Sequence, residues 1–273
     1  MKRIFYLGLF LCFIIFSTTS AVAQFTSTEL SQREDVEKWL TEGKIIKSEE
    51  IGEGVTEPKR LFLKAGENEL SGVWKNPKGF KNGVLEGWQY EIAAYQMDKL
   101  LGLDMVPPTV KRRYNRNEGS LQFWIEGTIS DEDRQASGMQ MPASHMHEWE
   151  NRIYLMRAFD SIIANDDRTQ QNIRYTKDWR TILIDHSRSF RSTKEHTKNL
   201  IFGKNGLKET LTFRRLPRKF VENVRALNFD QIKDAVGIYL TKREINAVLS
   251  RKDIFLIEID EMIKEQGEDT VLY

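Results

Sequence analysis

The spacing of apolar residues changes character part-way along the chain. Lys44-Ile45-Ile46, Arg60-Leu61-Phe62-Leu63-Lys64 and Gly72-Val73-Trp74-Lys75 are short apolar runs bounded by charge and glycine, and they predict three strands joined by tight turns. Trp88, Ile92, Tyr95 and Lys99 then fall at helical spacing, with Leu100-Leu101 following and Gly102 as a stop, which predicts a helix over 87–101. Residues 106–111 and 121–126 predict two more strands, the first confined to a sheet edge or strand start by Pro107 and Pro108. A short helix is expected over 29–40, and residues 127–142 are polar and loop-like.

Beyond Pro142 the pattern is helical. Trp149, Ile153, Met156, Phe159 and Ile163 mark an amphipathic helix ending near Asn165. Two short strands are expected at 172–175 and 181–185, then helices near 217–226, 230–240 and 242–265. Thr241 and Glu244 form a capping box for the last helix, and Phe255, Ile259, Met262 and Ile263 are its core stripe. Strands in front and helices behind predict an α+β protein of two lobes, with a strand-rich lobe over 24–126 and a helical lobe over 127–273.

The first 23 residues stand apart. A basic start at Lys2 and Arg3 leads into an apolar run from Ile4 to Phe16, a polar stretch, and the small-x-small triplet Ala21-Val22-Ala23. This layout predicts a signal peptide cleaved before Gln24, and hence an exported protein, periplasmic or secreted. The competing membrane anchor would need about 20 apolar residues. Removing Lys2 and Arg3 from the 41 basic residues leaves 39 against 40 acidic, so the remainder is near neutral and offers no global charge for nucleic acid. A lipid acceptor is weakly disfavoured by the same balance. Cys12, the single cysteine, lies in the leader, which excludes disulfides, cysteine nucleophiles and cysteine metal sites from the rest.

The segment 159–172 carries the chemistry. The predicted helix gives way to Asn165-Asp166-Asp167-Arg168, Asn172 follows five residues after Asp167, and Asp185 directly follows Thr181-Ile182-Leu183-Ile184. An acidic residue after an apolar strand needs a partner, and Asn172 with a divalent ion would supply one. Phosphoryl transfer requires this kind of set, because a hard ion with oxygen ligands must offset phosphate charge while a carboxylate orients the acceptor hydroxyl.

Asn165-x-Asp167-Arg168…Asn172 and Ile182-Leu183-Ile184-Asp185 resemble the motifs of atypical kinases, the group that holds phosphatidylinositol 3-/4-kinases, HipA toxins and secretory-pathway casein kinases. Glu86 to Tyr95, and Leu100-Leu101-Gly102 leading to Pro107, are similar to that group's helix and its exit into a strand, so the resemblance spans about residues 44 to 190. It implies a two-lobed protein-kinase-like fold using ATP with Mg²⁺ or Mn²⁺. By position, Lys75 would hold the phosphates and pair with Glu91, with Lys64 and Glu86 as the competing cation and helix partner. Gly52 and Gly54 would cover the phosphates, Phe123 and Ile125 would form the hinge against adenine, Asp167 would be the catalytic carboxylate, and Asn172 and Asp185 would hold the metal. The chain departs from the group in having two glycines rather than three in the covering turn, no glycine after Asp185, and Thr169 where many relatives have histidine.

The implied activity is transfer of a phosphoryl group from ATP to a hydroxyl of a protein or glycan. The rivals are a nucleotide-binding module without transfer and a nucleotidyltransferase. His145-x-His147-Glu148 offers zinc-ligand types without a third separated ligand and reads as a helix-entry loop, and His186 beside Asp185 could titrate near neutral pH, with a packing role favoured over that. Arg214-Arg215-x-x-Arg218-Lys219 is either a solvated helix entry or a dock for an acidic acceptor.

Overall fold

The structure, a computed structural model, describes residues 25–52, 57–81, 83–208 and 211–273. The expected leader (1–23) and Gly54 lie outside the described residues. Two short helices, α1 (Ser27–Ser31) and α2 (Arg33–Glu42), precede strands β1 (Lys44–Glu50), β2 (Lys59–Ala65) and β3 (Asn68–Lys75). A hairpin of β4 (Lys78–Lys81) and β5 (Val84–Gly87) leads into α3 (Trp88–Leu101), followed by β6 (Thr109–Tyr114) and β7 (Asn117–Phe123). Strands β1, β2, β3, β7 and β6 form one five-stranded sheet in that order, antiparallel throughout.

The second half opens with β8 (Ile129–Ser130) and α4 (Asp131–Ala136), then the 18-residue α5 (Met146–Ile163). Strands β9 (Ile173–Tyr175) and β10 (Thr181–Leu183) join β8 in a small sheet, and α6 (Arg218–Ala226), α7 (Phe229–Val236), α8 (Lys242–Gln266) and α9 (Glu268–Val271) complete the helical region. The capping box at Thr241 and Glu244 is present, and Phe255 and Ile259 are fully buried.

Two apolar cores result. The smaller packs α2 on one face of the five-stranded sheet through Leu40, Leu61, Leu63, Trp74 and Leu121. The larger runs from Tyr90 and Tyr95 of α3 through Phe159, Ile163 and Leu183 to Phe255 and Ile259. Helix α3 therefore packs with the helical half although it precedes the hinge region in sequence.

Two differences from the sequence pattern have local causes. The strand expected from residue 106 starts at Thr109, because Pro107 and Pro108 have no N–H and the Val106 N–H donates to the buried Asp98 carboxylate at 3.0 Å. The stretch 127–142, expected as a loop, contains β8 and α4, whose start is capped by Ser130 accepting from the Asp133 N–H at 3.0 Å.

Gly119 on β7 fixes how closely Lys75 is held in the sheet. A Cβ there would sit 2.4 Å from the Lys75 carbonyl oxygen and 2.8 Å from the Trp74 indole, so the backbone would have to part. Gly119→Ala should destabilise the protein by about 1–3 kcal/mol in urea denaturation; an unchanged midpoint would show that the sheet tolerates the opening.

Candidate active site

Residues alternate across the sheet, so Trp74 enters the smaller core and Lys75 lies on the opposite face. There the Lys75 Nζ donates to Glu91 Oε1 on α3 at 3.1 Å and to Asp185 Oδ1 at 3.0 Å. The helix partner is thus Glu91. Glu86 instead pairs with Arg188, and Lys64 is an exposed residue of β2. Burial alone would push the Lys75 ammonium down, but Asp185 and Glu91 hold it above its ordinary value. Burial raises the Asp185 carboxyl and Lys75 more than reverses this, leaving it at about 2. Burial keeps Glu91 above the usual carboxylate range despite Lys75.

Asp185 follows β10 in a left-handed backbone conformation (φ 59°). The turn is held on both sides. The His186 N–H donates to Glu91 Oε2 at 2.9 Å, and the Gly87 N–H donates to the Ser187 carbonyl at 2.9 Å. Such over-determination lets a non-glycine residue keep this conformation.

Asn172 sits on the adjoining chain. Its carbonyl accepts from the Ile184 N–H at 3.1 Å, which places it beside the residue preceding Asp185, and its side-chain amide donates to the Asp167 carbonyl at 3.3 Å. Asp167 is held by the Asn165 side chain, which accepts the Asp167 N–H at 3.3 Å and donates to Asp160 at 2.9 Å. The Asp167 carboxylate stays partly open, its pKa raised by burial against the pull of Arg188. The five polar residues expected at the site, Lys75, Glu91, Asp167, Asn172 and Asp185, are linked through this set of contacts.

Sequence reasoning named Arg168 and His186 without the contacts they make, and it missed Asp160 and Arg188. Arg168 forms a buried pair with Asp160 at 2.8 Å, donates to the carbonyls of Asn172 and Ile184, and reaches His186 Nε2 at 2.9 Å. Arginine only donates, so Nε2 accepts and the ring proton sits on Nδ1. His186 is fully buried, and burial followed by the Arg168 charge push its pKa well below the ordinary value, so it stays neutral and is not a pH switch. Arg188 joins Asp167 (3.1 Å) to Glu86. The Asp160 signal was its place five residues before Asn165 on a buried helix face; Arg188 had none beyond its nearness to Asp185.

Other expectations are corrected or narrowed. Phe123 pairs with Gly72 and packs against the smaller core, so strand alternation puts its side chain on the face away from Lys75. Trp124 is on the Lys75 side, where the Arg60 guanidinium lies 4.4 Å from its ring. Ile125 lies past the end of β7 and is partly exposed, and Gly52 has the positive φ (72°) of a turn glycine. Three members of the basic cluster have neighbours of their own, Arg218 meeting Glu268, Lys219 meeting Glu222 and Arg215 lying over the Tyr273 ring, while Arg214 is exposed. Glu148 pairs with Arg152 at 3.0 Å, and among the described residues no group of three histidine, cysteine or acidic side chains is arranged to hold a metal.

The donor chemistry nevertheless suits a nucleotide-borne ion. When ionised, Glu86, Glu91, Asp167 and Asp185 face two cations, Lys75 and Arg188, leaving two negative charges uncompensated. Mg²⁺-type ions are commonly held by one or two carboxylates plus substrate phosphates rather than by an all-protein cage.

No family model and no curated protein matches the chain. Solved structures do. The structure of hydra Fam20 with sugar aligns with a TM-score of 0.66 at 14% identity, covering 93% of this chain and 95% of that one. A Golgi casein kinase aligns at 0.63 and 13%, covering 92% and 81%, and the Golgi casein kinase with Mn/ADP bound at 0.62 and 13%, covering 92% and 80%. The fold is therefore the two-lobed kinase-like α+β fold, with a strand-rich N-terminal and a helical C-terminal region. These likenesses support the casein-kinase part of the sequence resemblance and carry nothing for the phosphatidylinositol kinase or HipA parts.

Lys75→Met should cost about 3–5 kcal/mol in chemical denaturation, because it strands the buried Glu91; a cost below about 1 kcal/mol would mean that the pair is not buried in solution. Asp185 has a folded pKa below its unfolded value of about 3.9, so its contribution is full above that pH and lost as pH falls towards 2. The stability difference between wild type and Asp185→Asn should shrink over that acid window; a difference independent of pH would refute the pairing.

Proposed function

We propose that the protein is an exported ATP-dependent phosphotransferase that moves a phosphoryl group to a hydroxyl of a protein or glycan. The observation that carries this reading is the Glu91–Lys75–Asp185 bridge with Asp167 and Asn172 alongside it. A kinase-like fold found with Mn/ADP in one similar structure and with a sugar in another adds support for nucleotide, metal and hydroxyl acceptor.

Lys75, which stays protonated, would neutralise the inner phosphates, and Glu91 keeps its ammonium on the cleft face of β3. Asn172 and Asp185 would hold a Mg²⁺ or Mn²⁺ ion, whose chemistry is to offset phosphate charge as the phosphoryl group leaves. Asp167 would accept a hydrogen bond from the acceptor hydroxyl and orient its oxygen towards the γ-phosphorus. The P–O bond to ADP breaks, the new P–O bond forms, and the hydroxyl proton passes to Asp167 or to solvent. Export rests on the leader pattern at residues 1–23. No helix among the described residues is long and apolar enough to cross a membrane.

Purified protein incubated with γ-labelled ATP, Mn²⁺ and a mixture of exported proteins and glycans should transfer label, and Asp167→Asn should lower turnover by about 10²–10⁴. Mass spectrometry of the product should show a gain of phosphate. A gain of AMP would favour nucleotidyl transfer, ATP binding without product would favour a binding module, and full activity in Asp167→Asn would reject the assignment.

A further inference from the structure

Arg188 is three residues past Asp185, in the segment that follows β10. Its Nε donates to Glu86 Oε1 at 2.7 Å and its Nη2 bonds the same oxygen, while Nη1 reaches Asp167 Oδ2 at 3.1 Å. Glu86 is 4% exposed and belongs to β5, which runs directly into the helix that carries Glu91. The backbones beside the pair are also joined, through the Gly87 N–H and the Ser187 carbonyl. The arginine is thus anchored at a second point, unlike a surface side chain that meets a carboxylate in passing.

A guanidinium is a planar fork with donors in fixed directions. Once Nε and Nη2 are committed to Glu86, the direction of Nη1 is set, and Nη1 is the donor that meets Asp167. Among the described residues no other side chain bonds the Asp167 carboxylate. A rigid donor on one oxygen orients the whole group and leaves Oδ1 for another partner. The arrangement parallels Glu91–Lys75–Asp185: each carboxylate facing the cleft from the helical half is tied by one cation to a buried glutamate of the segment 86–91.

We infer that Arg188 is a positioning residue, which uses buried Glu86 as its anchor to orient the Asp167 carboxylate towards the acceptor hydroxyl. The inference deepens the phosphotransferase reading and rests on it. Its signature is a loss of turnover without a matching loss of nucleotide affinity: among the described hydrogen bonds and ion pairs neither Arg188 nor Glu86 meets Lys75, Asn172 or Asp185, and the Arg188 charge acts on Asp185 only through its field.

The test measures ATP turnover with Mn²⁺ for wild type, Arg188→Gln, Arg188→Lys, Glu86→Gln and the Arg188→Gln/Glu86→Gln double variant, with melting temperatures to confirm folding. Arg188→Gln should lower kcat by about 10²-fold, the scale of a misplaced catalytic group, with KM for ATP within about threefold. Glu86→Gln, which touches Asp167 only through the arginine, should lower kcat by about tenfold, and the double variant should match Arg188→Gln alone. Arg188→Lys keeps the charge without the fork and should stay low; with Glu86→Gln it carries the test if Arg188→Gln does not fold. Wild-type kcat in Arg188→Gln, a loss carried by KM, or multiplying losses in the double variant would overturn the inference while leaving the phosphotransferase reading intact. A wild type with no turnover of ATP would overturn both.

Discussion

One buried ammonium organises the molecule. Lys75 comes from the sheet, Glu91 from the helix that packs against the larger core, and Asp185 from the turn after β10. A lysine withdrawn from water costs several kcal/mol unless its charge is met at short range. Here it is met twice, by groups from different parts of the chain, so the geometry of the site and the docking of the strand-rich half are one constraint. Gly119, which lets β7 close on Lys75, and the His186 N–H on the second oxygen of Glu91 serve that same bridge.

Below it lies a rigid polar floor. Arg168 is almost fully buried, paired with fully buried Asp160, and it also binds two carbonyls and the neutral His186. A buried network is costly when partly satisfied and stiff when well satisfied. This one fixes the backbone on both sides of Asp167 and Asp185 while their own carboxylates remain partly open, each side chain being more than a third exposed. The separation is useful chemically: charges that never leave the interior hold in place the charges that must meet a phosphate.

Much of this was legible in the sequence where a pattern is local. Period-two and helical runs marked β2, β3, α3, α5 and α8, the loop and strand ends drew attention to Asp167, Asn172 and Asp185, and Lys75 and Glu91 came from the resemblance to atypical kinases. The hairpin β4–β5 was not legible, because β4 is largely exposed, with Phe80 at 78%, so no alternation marks it. The face that Phe123 serves was not legible either, because a strand end shows its apolar character but not its parity; that is set by Trp74 and Leu121 and needs the pairing partner. Arg188 and Asp160 depend on contacts spanning 102 and 8 residues respectively, and no spacing rule predicts the first.

The departures from the kinase-like motif acquire a physical explanation in the same terms. A glycine is required where the backbone takes a positive φ or another chain approaches too closely for a Cβ. After β10 the positive φ values fall on Asp185 and Phe190, whereas Ser187 has none, so serine stands there without backbone cost. The turn around Asp185 is held by the backbone N–H groups of His186 and Gly87, accepted by the Glu91 carboxylate and the Ser187 carbonyl, so neither bond asks for a particular side chain at 186 or 187. The charges held farthest from water are those of Glu91 and Asp160, with Lys75 and Arg168 as their short-range partners, and replacing one of these leaves the other without its counter-charge.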